Sequence, residues 1–208
     1  HASNTNNYRS SEEEGSNVPP ELHPLVEAAG RRGTLPGWAA CRPERREHSA
    51  RVAELMAVWS RDIGLPAVDR VRWVAAGHLH DALKDAPVEA LRSLAGPDWP
   101  DPLLHAPACA ARLAMDGVRD EELLLAIAHH STGHPDLGEL GECLYMADFL
   151  EPGRGYMTQE RAELRGRMPA EHSEVLQAVI RHRMARLIDR GLSLRDESIQ
   201  FWNRAVGS

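Results

Sequence analysis

From Val71 to Leu83 the chain reads VRWVAAGHLHDAL: apolar on nearly every side of a helix, yet carrying His78, His80 and Asp81, with Lys84 directly behind. A helix that is apolar all round belongs at the centre of a domain. Polar side chains placed there are costly unless something satisfies them. Any fold this chain adopts must bring partners to those groups. The spacing predicts one central helix over about 67–84.

Helical periodicity runs through almost everything after Pro43. In PERREHSARVAELMAVW, Val52, Leu55, Met56 and Trp59 recur at three- and four-residue intervals, Pro43 suits the first turn, and His48 falls on the apolar stripe. Further helices are expected in PVEALRSL, in HAPACAARLAM and in EELLLAIAHH behind an Asp120 cap. LGELGECLYMADFL, QERAELRGRM and SEVLQAVIRHRMARLIDRG complete the set, the first of them ending at the Pro152-Gly153 break. No strand pattern, internal repeat or Gly-rich phosphate loop stands out. The expected fold is all-α, an irregular helical bundle over residues 43–208 that includes the C-terminal helices. Residues 21–42 read as a helix-and-loop extension, and residues 1–20, polar and ending in Pro-Pro, as a disordered tail. Ile199, Phe201 and Trp202 serve either the core or a dimer face, so a homodimer stays open.

Composition narrows the function. A chain of 208 residues makes one sizeable domain or at most two small ones. Cys41, Cys109 and Cys143 are scattered and form no C-x-x-C pair, which argues against a disulfide framework and for a reducing compartment. No apolar run approaches the ~20 residues that span a bilayer, and the N-terminus lacks a charged-then-apolar secretory pattern. A cytoplasmic protein with no membrane partner is expected. The formal charge of −7 disfavours nucleic acid as a partner, and a polyanionic substrate would need cations inside the site. Eleven histidines are the unusual feature.

His48, the pair His80-Asp81, His105, His130 and Asp148 each offer an imidazole or carboxylate from an apolar context. Such ligands suit hard to borderline divalent metals, and helix bundles build metal sites from inward-facing side chains on several helices. Taken singly, each has a plainer explanation: a histidine hydrogen-bonded within the core, or an aspartate capping a helix. Five unpaired buried polar sites together would be expensive for a domain of ordinary stability. Shared metal ions offset them jointly.

The order H…HD…D resembles that of the HD-domain phosphohydrolases. The words RREHSARVAELM, AAGHLHDALKD, LLHAPACA, AIAHHSTG, YMADFLEPGR and VIRHRMARLIDRGL are similar to those of one subgroup, the bacterial symmetrical bis(5'-nucleosyl)-tetraphosphatases of the HD type (the YqeK group). The likeness spans about residues 41–205. It implies two divalent ions, iron first, with manganese or magnesium as alternatives. In that resemblance His48, His80, Asp81 and Asp148 hold one ion and His105 and His130 the other, with Asp81 bridging. The chain departs from the family at His129, where an aromatic residue is usual, and at His78, an apolar family position. The H-S-T-G word puts the ligand at His130.

A two-metal site lowers the pKa of bound water and neutralises phosphate oxygens, which suits phosphoanhydride hydrolysis. The reaction implied by the resemblance splits diadenosine tetraphosphate in the middle to give two ADP. Asp81, Lys84 and Asp85 are the candidate catalytic residues. Lys84 shares a helix face with His80 and Asp81 and would contact the phosphate under attack; Asp85 either orients water or caps the next helix. Lys84, Arg154, Ser131, Thr132 and Gly133 are the candidate substrate contacts, against the plainer readings of surface lysine, loop arginine and simple turn. Two rivals stay open. One is another HD phosphohydrolase, acting on nucleoside monophosphates, cyclic nucleotides or guanosine polyphosphates. The other is a di-iron bundle for oxygen binding or oxygenation, which would have no use for a polyanion clamp.

Overall fold

A computed structural model describes residues 21–207, which form ten α-helices and a short 3-10 turn at Asp101–Leu103, with no strand among the described residues. The tail expected over residues 1–20 lies outside them. The first helix, α1 (Pro24–Arg32), opens where His23 Nδ1 accepts the Leu25 N–H at 3.3 Å. It closes at Gly33, whose φ of 63° is strained for any residue with a Cβ. Its Val26 and Ala29 join the same apolar core as the later helices, so the N-terminal extension is packed rather than appended.

α2 (Pro43–Asp62) and α3 (Ala67–Leu79) lie against each other, with α1 on the far side of α3. Their backbones meet at Gly77, where a Cβ would fall 2.5 Å from Ala53 Cα and 2.7 Å from Ala53 N. Next come α4 (Val88–Ala95), α5 (His105–Met115) and α6 (Glu121–His129), the last capped by Asp120 as its sequence predicts, through a 3.1 Å bond from the Leu123 N–H. α7 (Glu139–Leu150), α8 (Thr158–Arg167), α9 (His172–Asp189) and α10 (Asp196–Gly207) complete the bundle.

Two expectations change. The helix begun at Ala67 stops at Leu79, not near Lys84, and the chain then tightens: Ala82 N–H bonds Leu79 O and Lys84 N–H bonds Asp81 O, each at 3.0 Å. These are the three-residue hydrogen bonds of a 3-10 turn, a common way for an α-helix to end. His80 and Asp81 therefore sit on a turn, off the helix proper. The most enclosed helix is α7, buried at every position from Cys143 to Leu150, while α3 keeps a half-exposed side. On α10, Phe201 is core, its ring edge-to-face with Tyr145 at 5.3 Å, whereas Ile199 is exposed.

The contact at Gly77 makes a direct prediction. Gly77→Val should lower stability by about 1–3 kcal/mol, because the methyls meet backbone that cannot yield. Gly166→Ala, facing open space on α8, should be neutral or stabilising by up to about 1 kcal/mol. Thermal unfolding of the two variants beside the parent checks both.

Candidate metal centre

Six buried side chains from five parts of the fold converge: His48 from the second turn of α2, His80 and Asp81 from the turn after α3, His105 from the first residue of α5, His130 from just past α6, and Asp148 from the last turn of α7. His48 Nε2 lies 3.0 Å from Asp148 Oδ1 and 3.3 Å from His80 Nε2. On the other side, His105 Nε2 and His130 Nε2 are 3.4 Å apart. Asp81 stands between the two groups. Its Oδ2 is 3.8 Å and 4.0 Å from the Nε2 atoms of His80 and His48, and its Oδ1 is 3.2 Å and 3.5 Å from those of His105 and His130. Two overlapping sets, His48–His80–Asp148 and His80–Asp81–His130, each gather their ligand atoms within 4.8 Å of one another.

The backbone aims the imidazoles. His80 and His130 both end a helix, and the Nδ1–H of each donates to the carbonyl three residues earlier, of Gly77 and Ile127, at 2.8 Å. That fixes the tautomer and leaves Nε2, with its lone pair, directed into the centre. His48 is oriented by a carboxylate instead: Nδ1 donates to Glu151 Oε1 at 3.1 Å. Glu151 is itself held by Arg51 Nε and the Gly153 N–H, each at 2.6 Å.

Burial pushes His80 down to about 3 and His105 to about 4, so both rings are neutral, the form that binds metal. Burial also works against protonation of His48, but the carboxylates of Asp148 and Glu151 outweigh it and raise its pKa to about 8. For Asp81 and Asp148 burial opposes ionisation. The imidazoles and cations around them prevail and hold both carboxyls well below the usual range.

The residues fit a divalent cation on their own chemistry. Asp81 Oδ1 is buried, accepts no hydrogen bond and faces two imidazole nitrogens. Such an oxygen is costly without a positive partner. The Lys84 ammonium lies on the same side, 3.9 Å from this oxygen and 2.9 Å from His105 Nε2. The donors are nitrogen and oxygen with no thiolate, the set that hard to borderline metals take.

Around this centre the other candidates separate. Arg154 Nη2 donates to Asp148 Oδ1 at 2.8 Å, and Arg183 Nη2 to Asp148 Oδ2 at 2.8 Å. Both arginines, with Ser131, Tyr156 and Arg186, line a cleft of about 300 Å³ that has Asp148 in its wall. Thr132 is buried, its hydroxyl 3.3 Å from His129 Nδ1, and its carbonyl accepts from Ser198. Gly133 takes a φ of 72° beneath the Phe201 ring, a turn that admits no Cβ. Asp85 does not cap α4, whose N-cap is Pro87; its carboxylate accepts from Arg42 N at 2.8 Å and Arg42 Nε at 3.1 Å, tying the His80-Asp81 turn to the start of α2. His129 belongs to neither ligand set and packs with His134 and Trp99, at ring separations of 4.4 and 5.5 Å. His78 lies against Gly33.

Sequence reasoning missed Glu151 and Arg183. Glu151 sits in the EPGR word beside Arg154. Arg183 follows Val179 and Ile180 by four and three residues, so it falls on the buried stripe of α9, an odd place for an arginine with nothing to neutralise.

Residues 45–153 match the family model described as HD domain. Proteins named symmetrical bis(5'-nucleosyl)-tetraphosphatase from Staphylococcus aureus and Bacillus subtilis are each 34% identical, over 122 and 90 residues; these stretches cover 54% and 39% of this chain and 61% and 48% of the relatives. One of the same name from Halalkalibacterium halodurans is 38% identical over 74 residues, 32% of this chain and 39% of that protein. The chain thus spans less than two thirds of the length of these relatives. A crystal structure of a predicted HD superfamily hydrolase involved in NAD metabolism, from Clostridium acetobutylicum, is similar with a TM-score of 0.69 and 27% identity, over 79% of this chain and 90% of that one. The family match runs from just before His48 to just past Asp148, encloses all six converging side chains and takes in more than half of the sequence: the chain belongs to the HD domain family.

Proposed function

We propose that the chain is a metal-dependent phosphohydrolase that cleaves dinucleoside tetraphosphates symmetrically, diadenosine tetraphosphate giving two ADP. The observation that carries this reading is Asp81, one carboxylate whose two oxygens face two separate histidine groups beside a cleft edged with arginine. The names of the relatives support the substrate. His48, His80, Asp81 and Asp148 would hold one divalent ion, and His105 and His130, with Asp81 shared, the other. When bound, such ions lower the pKa of a coordinated water and neutralise phosphate oxygens. A donor set of four imidazoles favours iron over magnesium, with manganese between them in preference.

The chain's own groups do the positioning. Glu151 and the two helix-end carbonyls keep the imidazoles in one tautomer. Lys84, part-buried over the same ligands, is placed to meet an oxygen of the phosphate under attack. Arg154 and Arg183 bring guanidinium donors to the cleft, and Ser131 lines it beside them. Asp85 acts as a strut for the turn, and Thr132 and Gly133 shape the segment that follows His130. We place the reaction in the cytoplasm: Cys41, Cys109 and Cys143 are free thiols, and no helix of the described residues is long and apolar enough to cross a membrane. The oxygen-chemistry alternative gives the cleft edged by Arg154, Arg183 and Arg186 no anion to bind beyond Asp148.

Incubated with diadenosine tetraphosphate, the metal-loaded protein should release ADP as its sole nucleotide product, resolved by ion-exchange chromatography. AMP with ATP, or turnover confined to mononucleotides, would replace this reading with another HD phosphohydrolase. Asp81→Ala and His80→Ala should each reduce turnover by more than about a thousandfold and lower the metal content from about two atoms per chain, measured by elemental analysis. Glu151→Gln should keep the helical fold but weaken metal binding by about 10–100-fold in a chelator titration, since only the orientation of His48 is disturbed.

A further inference from the structure

Beside the arginine-edged cleft lies a second one of about 360 Å³, and its walls are of another kind. Its lining is mainly apolar, with Leu103, Ile180, Met184, Leu187 and Leu192, and carries Arg195 besides Arg183. It opens along the chain segments that carry two of the converging histidines: Leu103 comes two residues before His105, and Ser131 and Thr132 come directly after His130. The two clefts share Ser131, Arg183 and Leu187. Arg183 is fixed in the common wall. It donates to Asp148 and to the Tyr145 carbonyl, and its guanidinium lies 4.3 Å from the Tyr145 ring centroid.

A charged lobe and an apolar lobe that share one arginine fit a ligand with the same division: an anionic chain joined to a flat, weakly polar ring. Inorganic polyphosphate would leave the apolar lobe unused, and an apolar metabolite would leave the charged lobe unused. The volume falls in the range of roughly 300–1,000 Å³ typical of small-molecule sites. Leu192, 48% exposed, is then the lip of a ring-binding slot.

We infer that the apolar cleft between α9 and the Pro100–Leu103 segment seats one nucleoside of the substrate, with Arg183 gripping the phosphate chain where it leaves that nucleoside. This rests on the proposed phosphohydrolase reading and adds where specificity for a nucleoside arises. Ser131, next to His130, borders the same lobe and offers a hydroxyl to the ring or its ribose, while Thr132 lies in the wall with its hydroxyl toward His129.

Isothermal titration of the metal-loaded protein with ADP and, separately, with inorganic pyrophosphate tests this without turnover. ADP should bind at least about tenfold more tightly than pyrophosphate, the added affinity coming from the ring. Met184→Glu and Leu192→Asp should each weaken ADP binding about tenfold and change pyrophosphate binding by less than about twofold. Leu192 is exposed, so that variant keeps its fold, as a thermal melt will register. Unchanged ADP affinity in both variants overturns the inference. So does equal weakening of both ligands, which is what added negative charge alone would do. A parent protein that binds ADP in this pattern but hydrolyses no dinucleoside tetraphosphate would remove the proposed reaction and leave the nucleoside seat standing.

Discussion

The structure turns on the carboxylate of Asp81. It is buried, ionised and set among four imidazoles, and one of its oxygens has no hydrogen bond at all. The imidazoles and Lys84 offset its desolvation, and the oxygen that accepts no hydrogen bond is where a divalent cation would add most. Each surrounding element is cut to reach it: α2 passes a histidine inward from its second turn, α3 and α6 stop so that the ring of the next residue points at it, α5 starts there, and α7 delivers Asp148 in its last turn. Gly77 permits the close approach of α3 and α2 that brings His80 to His48.

The direction of the helices decides which charges this centre can hold. α3 and α6 end at His80 and His130, and α7 ends two residues after Asp148, so three C-termini point their partial negative charge toward the ligands. That arrangement favours cations and would repel phosphate. Only α5, among the ligand-bearing helices, presents an N-terminus, at His105, where Lys84 also lies. An anionic substrate, as proposed, would be met by bound metal and by side chains, not by these helix ends. Arg154 and Arg183 supply that charge in a protein whose formal net charge is −7, and they are kept in place by Asp148, itself a candidate ligand. The proposed substrate clamp and the candidate metal centre would be one hydrogen-bonded unit.

The all-α architecture and most helix starts were legible because their causes are local. Pro43 in a first turn and Asp120 before an apolar run are decided within a few residues. The end of α3 was not, since nothing in HLHDALKD breaks a helix; the chain leaves the α-helix to turn His80 and Asp81 toward groups that lie far along the sequence. The prominence of α7 was hidden for a similar reason. Its burial on all sides depends on α2, α3, α6, α8 and α9 packing around it, not on its own pattern.

The parts of the site followed the same rule. His48, His80, Asp81, His105, His130 and Asp148 stood out as a set, since each is a polar residue in a locally apolar stretch although singly it reads as an ordinary core or capping group. Glu151 and Arg183 reach the ligand set through partners 103 and 35 residues away, His48 and Asp148, and no local pattern announces such a pair. Asp85 misled because an aspartate ahead of a helix ordinarily caps it. Here Pro87 intervenes as the N-cap, and the free carboxylate turns back to Arg42. An orienting residue is recognised by what it holds, so it becomes visible only when the ligand it holds is in view. Arginine on a buried stripe is the exception worth using: a guanidinium among Val179, Ile180 and Tyr145 requires a buried anion nearby, and the sequence contains few aspartates on apolar faces to choose from.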